Sequence, residues 1–465
     1  MRNVNIKVDF KKFTGDKIKP LHGVNNSPLS MFEPPLGFKE AGIPFCRLHD
    51  TGGAFGGAHF VDIPNVFPDF NSDPENPDSY DFAFTDAYLT QLNAAGTEIF
   101  YRLGVTIENN YRIKSYHNRP PKDFLKWARI AEHIIKHYNE GWANGFHFNI
   151  RYWEIWNEPE NPPMWSGTPE EFYEFYRISA NYLKQKFPEL KIGGYAGCGF
   201  RAITRSNCSN FHKSFVTFFH DFIKYITSES TSAPLDFFSY HNYTLDPQEI
   251  KFHAEYADKI LKEYGLDNTE QIFNEWNYVG RGYETMKRAE GASFVASIFC
   301  VMQDSHISKS MYYDAYPAHG YCGLYNFPDI STTQTYSVFF MWNKLYCLKN
   351  RCYAAADSRN IYVCAASDFA EQAVFISNFN NCGCNIDFDM QNNKKMYAFI
   401  IDKRHDNVPY EFNGNVIYLP PYATVILATE KNYMASHAAA ADTSVKAGLA
   451  EPDKKNNKTQ KKEDI

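Results

Sequence analysis

The sequence lacks the features of several large protein classes. Among its 465 residues, 47 are Lys or Arg and 54 are Asp or Glu, which gives a net charge of -7. No basic face is concentrated enough to predict binding to nucleic acid or to an anionic membrane, and no apolar run reaches membrane-spanning length. Residues 1–7 lack the apolar core of a signal peptide, which favours a cytoplasmic protein. A secreted protein whose signal has been removed is the alternative.

Motifs for metals, redox chemistry and nucleotides are also missing. None of the ten cysteines belongs to a C-x-x-C pair, so buried thiols are favoured over a zinc ribbon or a disulfide framework. The segment LHGVN at 21–25 does not match the G-x-G-x-x-G of dinucleotide binding. No H-E-x-x-H occurs and only His22 lies near the first strand, which disfavours a metal-dependent barrel hydrolase. We therefore expect no metal and no cofactor. Assembly into a homo-oligomer is left open.

Aromatic residues, in contrast, are abundant. They make up 17% of the chain, with 32 Tyr and 39 Phe. Proteins that bind sugars often carry such an excess, because flat rings stack on the apolar faces of pyranoses. An aromatic-rich core is the other interpretation, and composition alone does not separate the two.

From about residue 18 short apolar strands alternate with amphipathic helices. Eight strand-then-helix units predict an α/β fold with a closed (β/α)8 barrel, and an open doubly wound sheet is the alternative. The predicted strands are 19–25, 45–50, 97–104, 150–157, 191–196, 235–243, 271–277 and 309–316. The predicted helices include 122–138, 169–186, 248–264 and 289–304.

After about residue 350 helical periodicity ends and short strands separated by turn residues follow. They predict a small accessory antiparallel β-sandwich, which the alternating segment 4–10 would join. The predicted sandwich strands are 361–365, 373–378, 384–389, 396–401 and 416–428. The expected domains are an N-terminal strand in 1–15, the barrel in 16–348, the β-sandwich in 349–432 and a disordered tail in 433–465.

The segment RYWEIWNEP at 151–159 carries the strongest chemical signal. An apolar-rich strand leads into Asn157 and Glu158 and is ended by Pro159, and barrel active sites lie at the carboxyl ends of strands. Aromatic neighbours should desolvate Glu158 and favour its protonated form, which a general acid requires. Glu154 lies deeper in the barrel, where a structural ion pair is its expected role.

A second strand, QIFNEWN at 271–277, contains Glu275 near its end. By count this is the seventh barrel strand and the strand before Glu158 is the fourth, so the two carboxylates should face each other. Two carboxylates so placed can flank one glycosidic bond, where one protonates the leaving oxygen and the other attacks the anomeric carbon. A structural role for a single strand-end glutamate is the alternative.

These two strands resemble those of clan A glycoside hydrolases. Within the clan, the segment 150–159, the RLHD at 47–50 and the overall layout are most similar to glycoside hydrolase family 39, which includes β-xylosidases and α-L-iduronidases. The resemblance spans roughly residues 1–430, because that family also appends a β-sandwich to its barrel. It implies a retaining, exo-acting, β-xylosidase-like enzyme that works through a covalent glycosyl-enzyme.

The resemblance also implies roles for individual residues. Glu158 would be the acid/base and Glu275 the nucleophile, while Asn157 would bind the sugar 2-hydroxyl. At the end of the sixth strand, Tyr243 would donate a hydrogen bond that keeps Glu275 ionised, with His241 beside it.

Further residues are candidates for sugar binding. His49 and Asp50, which end the second strand, resemble the family's glycone-binding pair. Each aromatic candidate could equally be a core residue. The candidate stacking platforms are Trp165, Trp276, Tyr283 and Tyr316.

The sugar itself is not determined, because loops rather than the catalytic core specify it. An arabinoside, a galactoside or a disaccharide-releasing activity remains open. So does a non-catalytic carbohydrate-binding barrel, although such a protein should have lost one of the two carboxylates. The long segment 51–80 is expected to form one wall of the cleft.

Overall fold

The chain forms a barrel and a separate β domain. The computed structural model describes residues 2–51, 61–106, 118–162, 164–278, 282–391 and 394–430. Eight parallel strands close into a barrel, and nine further strands form the second sheet. The predicted (β/α)8 barrel with an accessory β domain is thereby confirmed. The predicted tail in 433–465 and residues 52–60 of the predicted loop lie outside the described residues.

The barrel strands pair in chain order, and the last pairs with the first. Each overlaps a strand predicted from the sequence. Because the strands are parallel, all their carboxyl ends lie at one face, which is where a site would be built. They are β2 (Gly23–Asn25), β3 (Phe45–Arg47), β4 (Glu98–Leu103), β5 (Tyr152–Ile155), β6 (Lys191–Gly197), β7 (Phe237–Thr244), β8 (Glu270–Tyr278) and β9 (Ile307–Tyr312).

Helices cover the outside of the barrel. The side chain of Thr168 caps α4 in a reciprocal capping box with Glu171, and Asp123 and Ser209 cap α3 and α6. The helices are α1 (Ile63–Val66), α2 (Ala83–Ala94), α3 (Phe124–Asn139), α4 (Pro169–Lys186), α5 (Arg201–Thr204), α6 (Asn210–Thr227), α7 (Pro247–Glu263), α8 (Ala289–Gln303) and α9 (Gln334–Leu348).

The barrel interior is layered. An apolar cluster that includes Phe45, Phe100 and Tyr152 fills it near the amino ends of the strands. Polar groups lie further along the strands, where Oε2 of Glu154 accepts a hydrogen bond from Nε of Arg47 at 2.7 Å. Both side chains are fully buried, so Glu154 has the structural ion pair expected from its depth. This polar layer forms the floor beneath the strand ends.

The second sheet draws strands from both ends of the chain. Its order is β15-β14-β17-β12-β11-β10-β1-β13-β16, and the β1–β13 pair is parallel. Alternate residues of β1, among them Val4 and Ile6, share one buried core with Ile376 and Val425 of the opposite half, so the sheet folds onto itself as a sandwich. The strands are β1 (Arg2–Lys17), β10 (Asn350–Ala356), β11 (Ile361–Ser367), β12 (Gln372–Asn378), β13 (Cys384–Gln391), β14 (Tyr397–Ile401), β15 (Val408–Tyr410), β16 (Val416–Leu419) and β17 (Thr424–Ala428).

Three details of this domain differ from the sequence prediction. The strands β10 and β15 were not predicted, and the predicted strand 416–428 is two strands. Pro420 and Pro421 interrupt it, because proline cannot donate a hydrogen bond to a strand ladder.

All ten cysteines lie in the described residues as free thiols. The described helices include none long and apolar enough to cross a membrane.

Candidate active site

Three strand ends bring two carboxylates and an imidazole together. Glu158 follows β5, Glu275 lies in β8 and His241 lies in β7 between them. One carboxylate oxygen of each glutamate and one nitrogen of His241 all lie within 4.8 Å of one another. Nδ1 of His241 lies 2.8 Å from Oε1 of Glu158 and 3.6 Å from Oε2 of Glu275. The carboxylates predicted from two distant segments therefore share one site.

Glu275 is held by two donors. The hydroxyl of Tyr243 donates to its Oε1 at 2.6 Å, which is the contact that the family resemblance implies. Arg47 donates through Nη1 to its Oε2 at 3.2 Å. Both donors favour the ionised form of Glu275 and fix its orientation.

Arg47 bonds to four side chains of the floor, a role that sequence reasoning missed. Besides Glu154 and Glu275, it donates to Oδ1 of Asn157 at 2.6 Å and to Oδ1 of Asn25 at 3.1 Å. The bond to Asn157 fixes the amide oxygen and directs the amide nitrogen elsewhere. A charged residue inside the short strand β3 was the available signal.

Neighbouring groups shift the pKa values of the two carboxylates in opposite directions. Burial raises the pKa of Glu275, and the negative charge of Glu158 raises it further, against the opposing effects of His241, Arg47 and Tyr243. Burial also acts to raise the pKa of Glu158, but hydrogen bonds from His241 and Asn161 outweigh it and lower this pKa. Desolvation of Glu158 therefore acts in the predicted direction, but the contacts with His241 and Asn161 oppose it.

The other contacts of the two carboxylates are unequal. Of the pair, Glu275 is the one that Arg47 and the hydroxyl of Tyr243 contact, and both contacts oppose the effect of burial on its pKa.

The predicted glycone pair lies beside this site. Nε2 of His49 lies 3.4 Å from Oδ1 of Asp50, whose Oδ2 accepts a hydrogen bond from the hydroxyl of Tyr313 at 2.7 Å. Burial, with Arg47 nearby, lowers the pKa of His49 well below its usual value, which favours the neutral ring. Tyr313, just after β9, was not among the residues singled out in the sequence.

Two of the predicted stacking platforms are core residues. Trp276 is fully buried and packs on Phe299 and Tyr312. Trp165 is 3% exposed, and its indole N–H donates to the carbonyl oxygen of Thr168 at 3.0 Å. Neither ring presents a face to a substrate, so both predictions are wrong.

Tyrosines instead extend outward from Glu275. The ring of Tyr243 lies 5.7 Å from that of Tyr321, which lies 5.6 Å from that of Tyr283. Tyr283 is 53% exposed and therefore accessible, and its role as a stacking platform stays a prediction. Tyr316 is partly exposed and meets the ring of His319 edge-on at 4.6 Å.

A second carboxyl adjoins Glu158. Oε1 of Glu160 accepts a hydrogen bond from the backbone N–H of Cys198 at 2.6 Å. Burial, reinforced by the negative charge of Glu158, raises the pKa of Glu160 to about 8. The doubled glutamate in NEPE was visible in the sequence, but its burial was not.

The described part of the segment 51–80 is anchored to the barrel. Asp62 accepts hydrogen bonds from Nη2 of Arg102 at 2.8 Å and from the backbone N–H of Thr106 at 2.9 Å. Its role as a wall of the cleft stays a prediction, because residues 52–60 lie outside the described residues.

Sequence comparison agrees with this geometry. The profile of glycosyl hydrolases family 39 matches residues 59–278. A β-xylosidase of Geobacillus stearothermophilus is 25% identical over 220 residues, which are 45% of this chain and 40% of the relative. An α-1,4-L-rhamnosidase of Formosa agariphila is 24% identical over 219 residues, 44% of this chain and 42% of the relative. The matches thus span about two fifths of these curated relatives.

Solved structures share the whole architecture. A glucosidase of Croceicoccus marinus superimposes with a TM-score of 0.72 at 18% identity, covering 92% of this chain and 98% of that chain. A monomeric β-xylosidase of Caulobacter crescentus gives a TM-score of 0.65 at 14% identity, covering 92% and 99%. By its fold, its family match and its curated relatives, the chain is similar to clan A glycoside hydrolases. Among these, it is similar to family 39.

Proposed function

We propose that the protein is a retaining, exo-acting glycosidase with a β-xylosidase-like substrate. The observation that carries the proposal is the pair of carboxylates at the ends of β5 and β8, with oxygens within 4.8 Å of each other. Retaining enzymes place the two carboxyl groups about 5–5.5 Å apart, whereas inverting enzymes leave about 6.5–9.5 Å for a water molecule. The short separation favours direct attack by one carboxylate.

In this proposal Glu275 attacks the anomeric carbon and Glu158 protonates the leaving oxygen. Tyr243 and Arg47 hold the attacking oxygen atoms of Glu275 in place. Glu158 lies on the other side of the scissile bond and, once deprotonated, takes a proton from the water that releases the sugar. Asn157, oriented by Arg47, would bind the 2-hydroxyl group, and His49 and Asp50 would bind the glycone.

The substrate is proposed from the relatives, which include β-xylosidases and an α-1,4-L-rhamnosidase. The test is a set of 4-nitrophenyl glycosides: β-xyloside, β-glucoside, β-galactoside, α-L-arabinofuranoside and α-L-rhamnoside. We expect the β-xyloside to have the highest kcat/KM, and proton NMR of the first product to show the anomer of the substrate. Release of the opposite anomer would refute retention, and preference for another glycoside would refute the xyloside assignment.

A further inference from the structure

A second cavity lies where the β domain meets the barrel. Its volume is about 1040 Å³, and it is lined on the barrel side by residues at the starts of α8 and α9 and on the other side by loops of the sheet. Nε2 of Gln334 donates to the carbonyl oxygens of Asp402 and His405, at 2.6 and 2.9 Å. These bonds tie the sheet loop to the barrel helix, so the two walls are held together.

The cavity lies toward the face of the barrel that carries the catalytic pair. In a (β/α)8 barrel each helix begins at the face where the preceding strand ends. Glu290, in the first turn of α8 and in the cavity wall, accepts a hydrogen bond from the hydroxyl of Tyr278 at the end of β8. Tyr278 is three residues beyond Glu275 on that strand. The cavity and the catalytic site are therefore separate sites on a common face.

The lining combines flat rings with charges of both signs. Three tyrosines contribute, and Tyr418 is 39% exposed. Because the charges balance, the cavity suits a neutral ligand with many hydroxyl groups better than a phosphate or nucleotide. Its volume is at the upper end of the range of about 300–1,000 Å³ for small-molecule sites, so it suits more than one sugar ring. The balanced charges are those of Arg288, Lys403, Arg404, Glu290, Asp402 and Asp406.

We propose that this cavity is a second carbohydrate-binding site, which holds a neutral oligosaccharide of the class that the catalytic site cleaves. The inference rests on the proposed function for the class of sugar. Tyr410 and Tyr418 would stack on sugar rings, and Arg404 would donate hydrogen bonds to hydroxyl groups. A sugar bound here would keep substrate near the catalytic face without contacting Glu158 or Glu275.

The test is calorimetric titration of the full chain carrying Glu275→Gln, with xylotetraose and cellotetraose as probes. We expect two equivalents of xylotetraose to bind to this parent. Adding Tyr410→Ala and Tyr418→Ala should weaken the affinity for the second equivalent about tenfold, which is the effect of losing an aromatic contact. Arg404→Ala, an exposed position, is the second variant. Tyr353→Ala, on strand β10 outside the cavity, is the matched control and should retain both equivalents.

The two proposals fail in different ways. In the otherwise wild-type chain, the cavity variants should keep kcat and KM for aryl glycosides. If the wild type itself turned over no aryl glycoside, that result would refute only the proposed function. One equivalent of xylotetraose in the Glu275→Gln parent, bound with unchanged affinity by the tyrosine variant, would overturn the second site. So would unchanged binding in both the tyrosine variant and Arg404→Ala, or competition by inorganic phosphate.

Discussion

The hydroxyl of Tyr243 donates to Oε1 of Glu275 at 2.6 Å, and this bond acts to lower the pKa of the proposed nucleophile. Burial, reinforced by the charge of Glu275, raises the pKa of Tyr243 well above its usual value, so the phenol stays a donor. Tyr243→Phe should raise the pKa of Glu275 and move the acidic limb of kcat/KM to higher pH. A hydrogen bond to a charged group contributes about 1.5–3 kcal/mol, so kcat should fall about 10- to 100-fold. Tyr321→Phe, which alters the neighbouring ring, is the control; equal profiles for both variants would contradict the assignment.

Arg47 should be the largest single contributor to the stability of the barrel floor. Arg47→Met would leave Glu154 and Glu275 without their buried counter-charge. Breaking a buried pair in this way costs about 3–5 kcal/mol. Arg151→Met removes an arginine whose side chain is 62% exposed, in an ion pair with Glu98, and should cost about 1 kcal/mol or less. Denaturant unfolding of both variants checks the difference, and similar losses would show that the floor does not depend on Arg47.

Local patterns account for what the sequence predicted well. The strands β5 and β8 were identifiable because short apolar runs end in carboxylates, and Pro159 marks where the first run stops. The predicted helix 169–186 coincides with α4, whose capping box is readable as Thr168 followed by Glu171. These signals lie within a few residues of one another, so one segment suffices to recognise them.

Contacts between distant segments account for the features that sequence reasoning missed. The aromatic excess predicts Trp276 as a platform, yet alternation along β8 turns it away from Glu275 and toward the helices. Arg47 and Glu154 are more than 100 residues apart, and only barrel closure makes them partners. The lowered pKa of Glu158 likewise depends on a contact with His241, 83 residues further along the chain. Charge distribution in a site is a property of the folded chain, not of any motif.

His241 should control the upper pH limit of activity. Its contact with Glu158 lowers the pKa of that carboxyl. His241→Asn removes this contact, so the pKa of Glu158 should rise and its acid form should persist to higher pH. The alkaline limb of kcat/KM should therefore move upward in pH. His319→Asn, which alters a histidine bonded to Asp314, is the control and should leave the limb in place; a downward move in His241→Asn would contradict the contact.

Glu160 should make the folded protein less stable at alkaline pH. Its pKa is raised from 4.5 to about 8 by burial, so between these values the folded protein holds a proton that the unfolded chain has released. Stability must then fall as pH rises through this interval. Glu160→Gln removes this dependence. The free energy of unfolding of the variant, relative to that of the wild type, should therefore increase from about pH 5 to pH 8. Denaturant unfolding at several pH values measures the difference, with exposed Glu255→Gln as the control; a constant difference for Glu160→Gln would show that this carboxyl is ionised throughout.

The two catalytic glutamates should differ in how their loss can be rescued. Glu275→Ala removes the attacking oxygen and should leave almost no activity on any glycoside. Glu158→Ala should still react with aryl glycosides that have good leaving groups, because these need little protonation. The glycosyl-enzyme then lacks a base to activate water and should accumulate, which mass spectrometry of the intact protein would detect. Azide needs no base, so it should restore turnover of Glu158→Ala and give a glycosyl azide of retained configuration. An inverted azide from Glu275→Ala is compatible with this assignment, but rescue of Glu158→Ala with inversion would exchange the two roles.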